Sequence, residues 1–123
     1  MTKKILIIED DPNILAILKI ILTDEGFQTV INSTGTTLDE VNIIHPDLIL
    51  MDIRIVGSPK SGAEICRELK ADSETGQIPV VLLSAEYDLA MIASECKADD
   101  FINKPFDIGT LVNRVNKLLH STN

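Results

Sequence analysis

Leu48-Ile49-Leu50-Met51-Asp52 is four consecutive apolar residues closed by one acid. The run is too short for an independent helix and too uniformly apolar for a strand with one wet face, so it reads as a strand buried on both faces. Such a strand belongs to a parallel sheet covered by helices on each side. The charge at its end must then emerge at the rim of that sheet, because nowhere along the strand is there water to hold it.

The same grammar recurs on either side of this run. Ile5-Leu6-Ile7-Ile8 closes on Glu9-Asp10-Asp11-Pro12, with Asp11 placed as a helix N-cap and Pro12 at the first helical position. The spacing predicts a helix to about Glu25, with Ile14, Leu15, Ile17, Leu18, Ile21 and Leu22 in one wide apolar arc and Ile20 outside it. Gly26 ends that helix, and Phe27 to Ile31 forms a second strand. A loop through Ser33-Thr34-Gly35-Thr36 leads to a helix that stops near Ile44, because His45 precedes a proline and is pushed out of helical geometry.

Beyond Asp52, a glycine- and proline-containing loop runs to Gly62, and a helix follows from about Ser61 to Ala71. Val80-Val81-Leu82-Leu83-Ser84 is a fourth buried strand, this time ending in a hydroxyl. Ala85-Glu86-Tyr87-Asp88 is expected to open a short helix through about Cys96, and Asp100-Phe101-Ile102-Asn103 is a fifth strand ending at Lys104-Pro105. Asp107 caps a last helix whose apolar face is Leu111, Val115, Leu118 and Leu119.

Strands alternating with helices build βαβ units, hence an α/β fold with one parallel sheet. Right-handed crossovers bring all the strand C-termini to one edge. Glu9, Asp10, Asp52, Ser84 and Lys104, far apart along the chain, therefore converge on one crevice where open α/β sheets bind ligands.

Composition bounds what that crevice serves. With 123 residues, 45% of them hydrophobic, the chain makes one domain with a substantial core. A formal net charge of -8 argues against direct binding to nucleic acid or anionic membrane and points to proteins, small molecules or cations as partners. Cys66 and Cys96 form neither a zinc pattern nor a disulfide framework and read as buried thiols. Lys3-Lys4 is followed by too few apolar residues for a signal peptide, and no run approaches a membrane span, so a cytoplasmic location is expected.

A carboxylate can attack phosphorus and become an acyl phosphate, but an anion approaching an anion needs neutralisation. Mg2+ (or Mn2+) takes oxygen ligands and is commonly held by one or two carboxylates. Asp10 and Asp52 are candidate ligands, with Glu9 acting through water and the backbone carbonyl of Arg54 completing the set. Lys104 supplies a compact cation for phosphoryl oxygens, and Ser84 a hydroxyl able to turn inward.

These motifs resemble the response-regulator receiver domain of two-component signalling, of the chemotaxis-regulator type, over essentially the whole chain. The resemblance rests on Ile7-Ile8-Glu9-Asp10-Asp11-Pro12, Leu50-Met51-Asp52, Leu83-Ser84-Ala85 and, most specifically, Ala98-Asp99-Asp100-Phe101-Ile102-Asn103-Lys104-Pro105-Phe106. It implies a flavodoxin-like doubly wound sheet of five parallel strands in the order 2-1-3-4-5 with five helices. Asp52 is then the phosphoacceptor, Glu9 and Asp10 the metal-site acids, Ser84 and Phe101 the switch pair, and Lys104 the phosphate-contacting lysine. A cis bond before Pro105 is implied as well. The implied donor is a histidine kinase or a histidine phosphotransfer protein, the output an unidentified protein target, with a phosphorylation-dependent homodimer left open. Apart from its own phosphorylation and dephosphorylation such a domain catalyses nothing.

Two departures stand out. Relatives usually carry Met-Pro where this chain has Ile55-Val56, in a slightly longer loop, and the segment from Ser84 to Lys104 is slightly shorter, with the shortening placed at the start of the fourth helix. Arg54 and Glu86, two positions beyond Asp52 and Ser84, are expected to form an ion pair that modulates the lifetime of the acyl phosphate. Competing readings are a degenerate receiver that only binds protein, a flavodoxin-like cofactor binder and an aspartyl phosphatase. Asp11-Pro12 stands where the second would need a glycine loop, and Arg54 where the third would need an acid. The chain ends shortly after its last helix, at Leu118-Leu119-His120-Ser121-Thr122-Asn123, so it reads as a stand-alone regulator or as one part of a longer protein.

Overall fold

The computed structural model describes residues 2–120. The expected domain limits at residues 1 and 123, and the segment Ser121–Asn123, lie outside the described residues. Strands β1 (Lys4–Ile8), β2 (Gln28–Asn32), β3 (Leu48–Asp52), β4 (Val80–Ser84) and β5 (Asp100–Asn103) alternate with helices α1 (Pro12–Asp24), α2 (Leu38–Ile44), α3 (Gly62–Ala71), α4 (Leu89–Glu95) and α5 (Ile108–His120). Every strand pairing is parallel, and the order across the sheet is β2-β1-β3-β4-β5. This is the flavodoxin-like doubly wound architecture that the family resemblance implied.

All residues of β3 and β4 are buried, as runs covered on both faces require. Alternation along the strands splits the core in two. Leu6, Ile8, Ile49, Met51, Val80 and Leu82 pack under α2, α3 and α4. Ile5, Ile7, Leu48, Leu50, Val81 and Leu83 pack under α1 and α5. The register sets Ile8 beside Met51 and Asp52 beside Leu83, so the ends of β1, β3 and β4 lie along one rim.

The helix starts carry the expected chemistry. The Asp11 carboxylate accepts the Asn13 N–H at 2.9 Å, and Asp107 accepts the Thr110 N–H at 2.9 Å. Thr37 with Glu40 and Ser61 with Glu64 form reciprocal capping boxes, satisfying two orphan donors each. His45 leaves α2 in the left-handed region, φ 54° and ψ 57°, and Pro46 follows.

Some expectations are corrected. The buried stripe of α1 is Leu18, Ile21 and Leu22, with Ile14 and Leu15 half-buried, whereas Ile17 is exposed; the helix meets the sheet and α5 along a narrower arc than its apolar content suggests. β2 begins one residue later than expected, because Phe27 closes α1 through its N–H to Leu22 O at 3.0 Å. α4 begins at Leu89 rather than Ala85, and Ser61 caps α3 rather than belonging to it.

Both cysteines are free and fully buried, and the Cys66 Sγ–H donates to the Cys96 carbonyl at 3.5 Å. Burial, reinforced by the neighbouring Cys96, pushes the Cys66 thiol far up, away from the reactive thiolate. Neither thiol is therefore expected to react with an aromatic disulfide reagent in the native protein, and both should titrate once urea unfolds it. Rapid stoichiometric labelling without denaturant would contradict this packing. No helix among the described residues is long and apolar enough to cross a membrane.

Candidate functional site

Four segments meet at the C-terminal rim of the sheet. β1 runs into Glu9 and Asp10, β3 ends on Asp52, β4 ends on Ser84, and the residue after β5 is Lys104. Lys104 Nζ donates to Glu9 Oε1 at 2.7 Å and to Asp52 Oδ2 at 2.9 Å, joining residues 95 and 52 positions away. The Lys104–Pro105 peptide is cis, in line with the resemblance.

Glu9 and Asp52 are buried carboxylates, at 1% and 8% exposure, so their charge is held by the protein rather than by water. Burial pushes the Glu9 carboxyl above the usual carboxylate range, and its hydrogen bonds from Lys104 and from the Asp11 N–H pull against that rise. For Lys104, burial disfavours the ammonium, yet the hydrogen bonds to Glu9 and Asp52 outweigh it and hold the lysine above its ordinary value. The lysine gains two acceptors, whereas the two acids must share a single ammonium between them.

That imbalance is what a metal ion would complete. Glu9, Asp10 and Asp52 each present a carboxylate oxygen, all within 4.8 Å of one another. Three hard oxygen donors beside a rim open to solvent suit Mg2+ in size and chemistry, and the cluster among the described residues includes no sulfur or imidazole to favour a softer ion. Asp10 is only half-buried, and its Oδ2 accepts the Val56 N–H at 3.1 Å.

A cleft of about 320 Å³ opens over the acceptor, lined by Asp52, Arg54, Ser84, Ala85, Glu86 and Lys104. A larger hollow of about 450 Å³ lies between the 32–40 and 58–60 loops and includes neither Asp52 nor Lys104. Ser84 is buried, and its Oγ accepts the Glu86 N–H at 3.1 Å. Arg54 and Glu86, both lining this cleft, form the anticipated ion pair, with the arginine side chain 83% exposed. Phe101 is not part of this cleft: it lies half-buried on β5 opposite Leu82, on the α3 and α4 side of the sheet, and its carbonyl accepts from Arg114 Nη1 at 3.1 Å.

The sequence reading missed two features of the site. One is the Val56 N–H, a backbone donor with no side-chain signature. The other is Gly62, where an added Cβ would lie 2.0 Å from the Asp52 carbonyl oxygen. The turn of α3 is packed directly on the peptide that carries the acceptor.

Comparison with known proteins agrees with this geometry. The family model for the response regulator receiver domain matches residues 5–116. The DNA-binding response regulator MtrA of Mycolicibacterium smegmatis is 38% identical over 118 residues, 94% of this chain and 50% of that protein. The chain thus spans about half the length of the curated relatives it matches. The receiver domain of a signal transduction histidine kinase from Syntrophus aciditrophicus superposes with a TM-score of 0.84 at 34% identity, covering 98% of this chain and 92% of that one. The receiver domain of the sensor histidine kinase PA1611 from Pseudomonas aeruginosa, solved with magnesium in its active-site cleft, gives 0.80 at 22%, covering 97% and 98%. A family model that matches nearly the whole length shows the family: the chain belongs to the response-regulator receiver domains.

Proposed function

We propose that this chain is a phosphorylation switch whose acceptor is Asp52, charged by a histidine kinase or histidine phosphotransfer protein. The observation that carries the reading is the shared ammonium: Lys104 holds Asp52 and Glu9 together beside Asp10, at the end of a fully buried strand. A degenerate binding module would have no use for buried like charges that cost stability unless something is brought to them.

In the transfer, an Asp52 carboxylate oxygen forms the new bond to phosphorus as the phosphorus–nitrogen bond of a phosphohistidine breaks. The electron pair of that bond stays on the imidazole. Glu9, Asp10, Asp52 and the Arg54 carbonyl would hold Mg2+, which when bound neutralises charge on the phosphoryl oxygens. Lys104 is already hydrogen-bonded to Asp52 and needs little movement to follow its charge onto the phosphoryl group. Ser84 would exchange the Glu86 N–H for a phosphoryl oxygen, and Phe101, on the same sheet face as Leu82, would register the change toward a protein partner. Phosphorylation then biases a two-state equilibrium. A net charge of -8 keeps direct nucleic-acid contact outside this reading.

Incubation with phosphoramidate and Mg2+ followed by intact mass measurement tests the proposal. One phosphate per chain is expected, with none formed in excess EDTA. Absence of any gain at saturating donor would instead favour the degenerate module.

The Arg54 and Glu86 pair gives a separate expectation. As an exposed pair it contributes about 0–1 kcal/mol, so replacing both with alanine should barely move the denaturation midpoint. Because both residues line the cleft over the acceptor, the double variant should lose its phosphate several-fold faster through freer entry of water. An unchanged decay rate would remove the gating role.

A further inference from the structure

We propose that the backbone N–H of Val56 is a positioning group for the metal site, latching the loop after β3 onto the Asp10 carboxylate. The inference rests on the metal reading above and concerns how this chain orients its ligands. Val56 N donates to Asp10 Oδ2 at 3.1 Å across 46 residues of sequence. The Arg54 carbonyl, the expected backbone ligand, belongs to the same short stretch of loop. One hydrogen bond thus ties two ligand-bearing segments together, one following β1 and the other following β3.

The latch is held in a defined turn. Ser58 N–H donates to the Ile55 carbonyl at 3.1 Å, making Val56 and Gly57 the two central residues, and Gly57 has φ +88°. A positive φ at the second central position marks a type II turn, in which the first central residue is the one that accepts proline. The Val56 side chain is 78% exposed, so the position contributes its N–H rather than packing. A proline here keeps the turn and deletes only the donor. The departure from Met-Pro at Ile55-Val56 therefore has a chemical content: it adds a hydrogen bond that a proline at position 56 is unable to make.

A donor on one oxygen of a half-buried carboxylate restricts its rotation and leaves the other oxygen's lone pairs for a cation. Outer hydrogen bonds of this kind change metal affinity by about 10–100-fold.

The test is Mg2+ titration of wild type, Val56→Pro and Val56→Ala by calorimetry, with urea midpoints measured without metal. Val56→Pro is expected to bind Mg2+ about tenfold more weakly. Its metal-free midpoint should move little, because loss of one exposed hydrogen bond is offset by the proline's restriction of the unfolded chain, whereas general loosening of the loop would lower it clearly. Val56→Ala, which retains the N–H, should track the wild type and so separates the donor from the side chain. Equal or tighter binding by Val56→Pro would show that the bond is idle, or is broken when metal enters, and overturns the inference alone. No Mg2+ binding by the wild type overturns the functional reading as well. If Val56→Pro loses its fold, amide exchange in the wild type decides: slow exchange at Val56, slower with Mg2+, supports the latch, and exchange at the free-loop rate overturns it.

Discussion

Asp52→Asn is expected to abolish phosphate uptake completely, with no gain in intact mass under donor and Mg2+ conditions that convert the wild type. The amide keeps the shape of the carboxylate but has no anionic oxygen to attack phosphorus. The fold should survive the change. The carbonyl oxygen of the new side-chain amide is able to accept the hydrogen bond that Lys104 Nζ now gives to Asp52, so the ammonium keeps two partners. Loss of the Asp52 charge also removes one of the influences that raise the Glu9 carboxyl. The sign of the resulting stability change follows from linkage. A native Glu9 held above its ordinary 4.5 binds its proton more tightly than the unfolded chain does, so wild-type stability declines as pH rises through that raised value. In Asp52→Asn that decline is smaller, but Lys104 also loses the Asp52 charge that helps hold it above its ordinary value, so the gain at Glu9 is opposed by a loss at Lys104 and the urea midpoint should change little. Mg2+ affinity should fall by about tenfold or more, since one of the three candidate carboxylates loses its charge. A variant that still gains phosphate would move the acceptor to Asp10 or Glu9.

The parts of this site that were legible in the sequence were those written in side chains at strand ends. Four apolar residues before Asp52, and four before Glu9, specify a two-sided strand, and parallel topology then dictates that their last residues meet. Capping followed the same logic at Asp11 and Asp107, where a short polar side chain has an orphan N–H within reach. The start of α4 was not legible. Ala85 to Asp88 have nothing against helix locally, but the Glu86 N–H is taken by the Ser84 hydroxyl and Asp88 gives no side-chain cap, so the helix begins only at Leu89. A local bond to the Ser84 hydroxyl two residues back competes with the helix there and outranks propensity. Ile17 failed for a related reason, since apolar spacing records which residues can be buried and only the neighbouring elements decide how wide the buried stripe is. Val56 and Gly62 act through a backbone N–H and an absent Cβ, and neither carries a signal until the two segments are brought together in space.

Gly62→Ala, at the start of α3, should be a strongly damaging single-carbon change. In a helix interior alanine is better than glycine by about 1 kcal/mol, so local propensity alone would make the variant more stable. The structure reverses that expectation. A Cβ on Gly62 would stand 2.0 Å from the Asp52 carbonyl oxygen, 2.9 Å from its carbon and 3.0 Å from the Ile53 Cα, all of them backbone atoms with no rotamer to escape into. The glycine N–H meanwhile donates to the Ile53 carbonyl at 2.7 Å, so the start of α3 is unable to drift outward without losing that bond. Relief requires shifting either α3 or the end of β3, and the net cost is expected to be about 3 kcal/mol in urea unfolding, at the upper end for overpacking. Gly26→Ala supplies the contrast. There φ is +91° and nothing lies within 4 Å of an added Cβ, so the cost is backbone strain of about 1–2 kcal/mol and should leave the site untouched. Only the change at position 62 moves the peptide that carries Asp52. A displacement of about 1 Å in a reacting group can cost 100-fold in rate, so Gly62→Ala should slow phosphorylation of the remaining folded protein while Gly26→Ala does not. Wild-type stability and kinetics in Gly62→Ala would mean that α3 and β3 do not approach as closely as this packing requires.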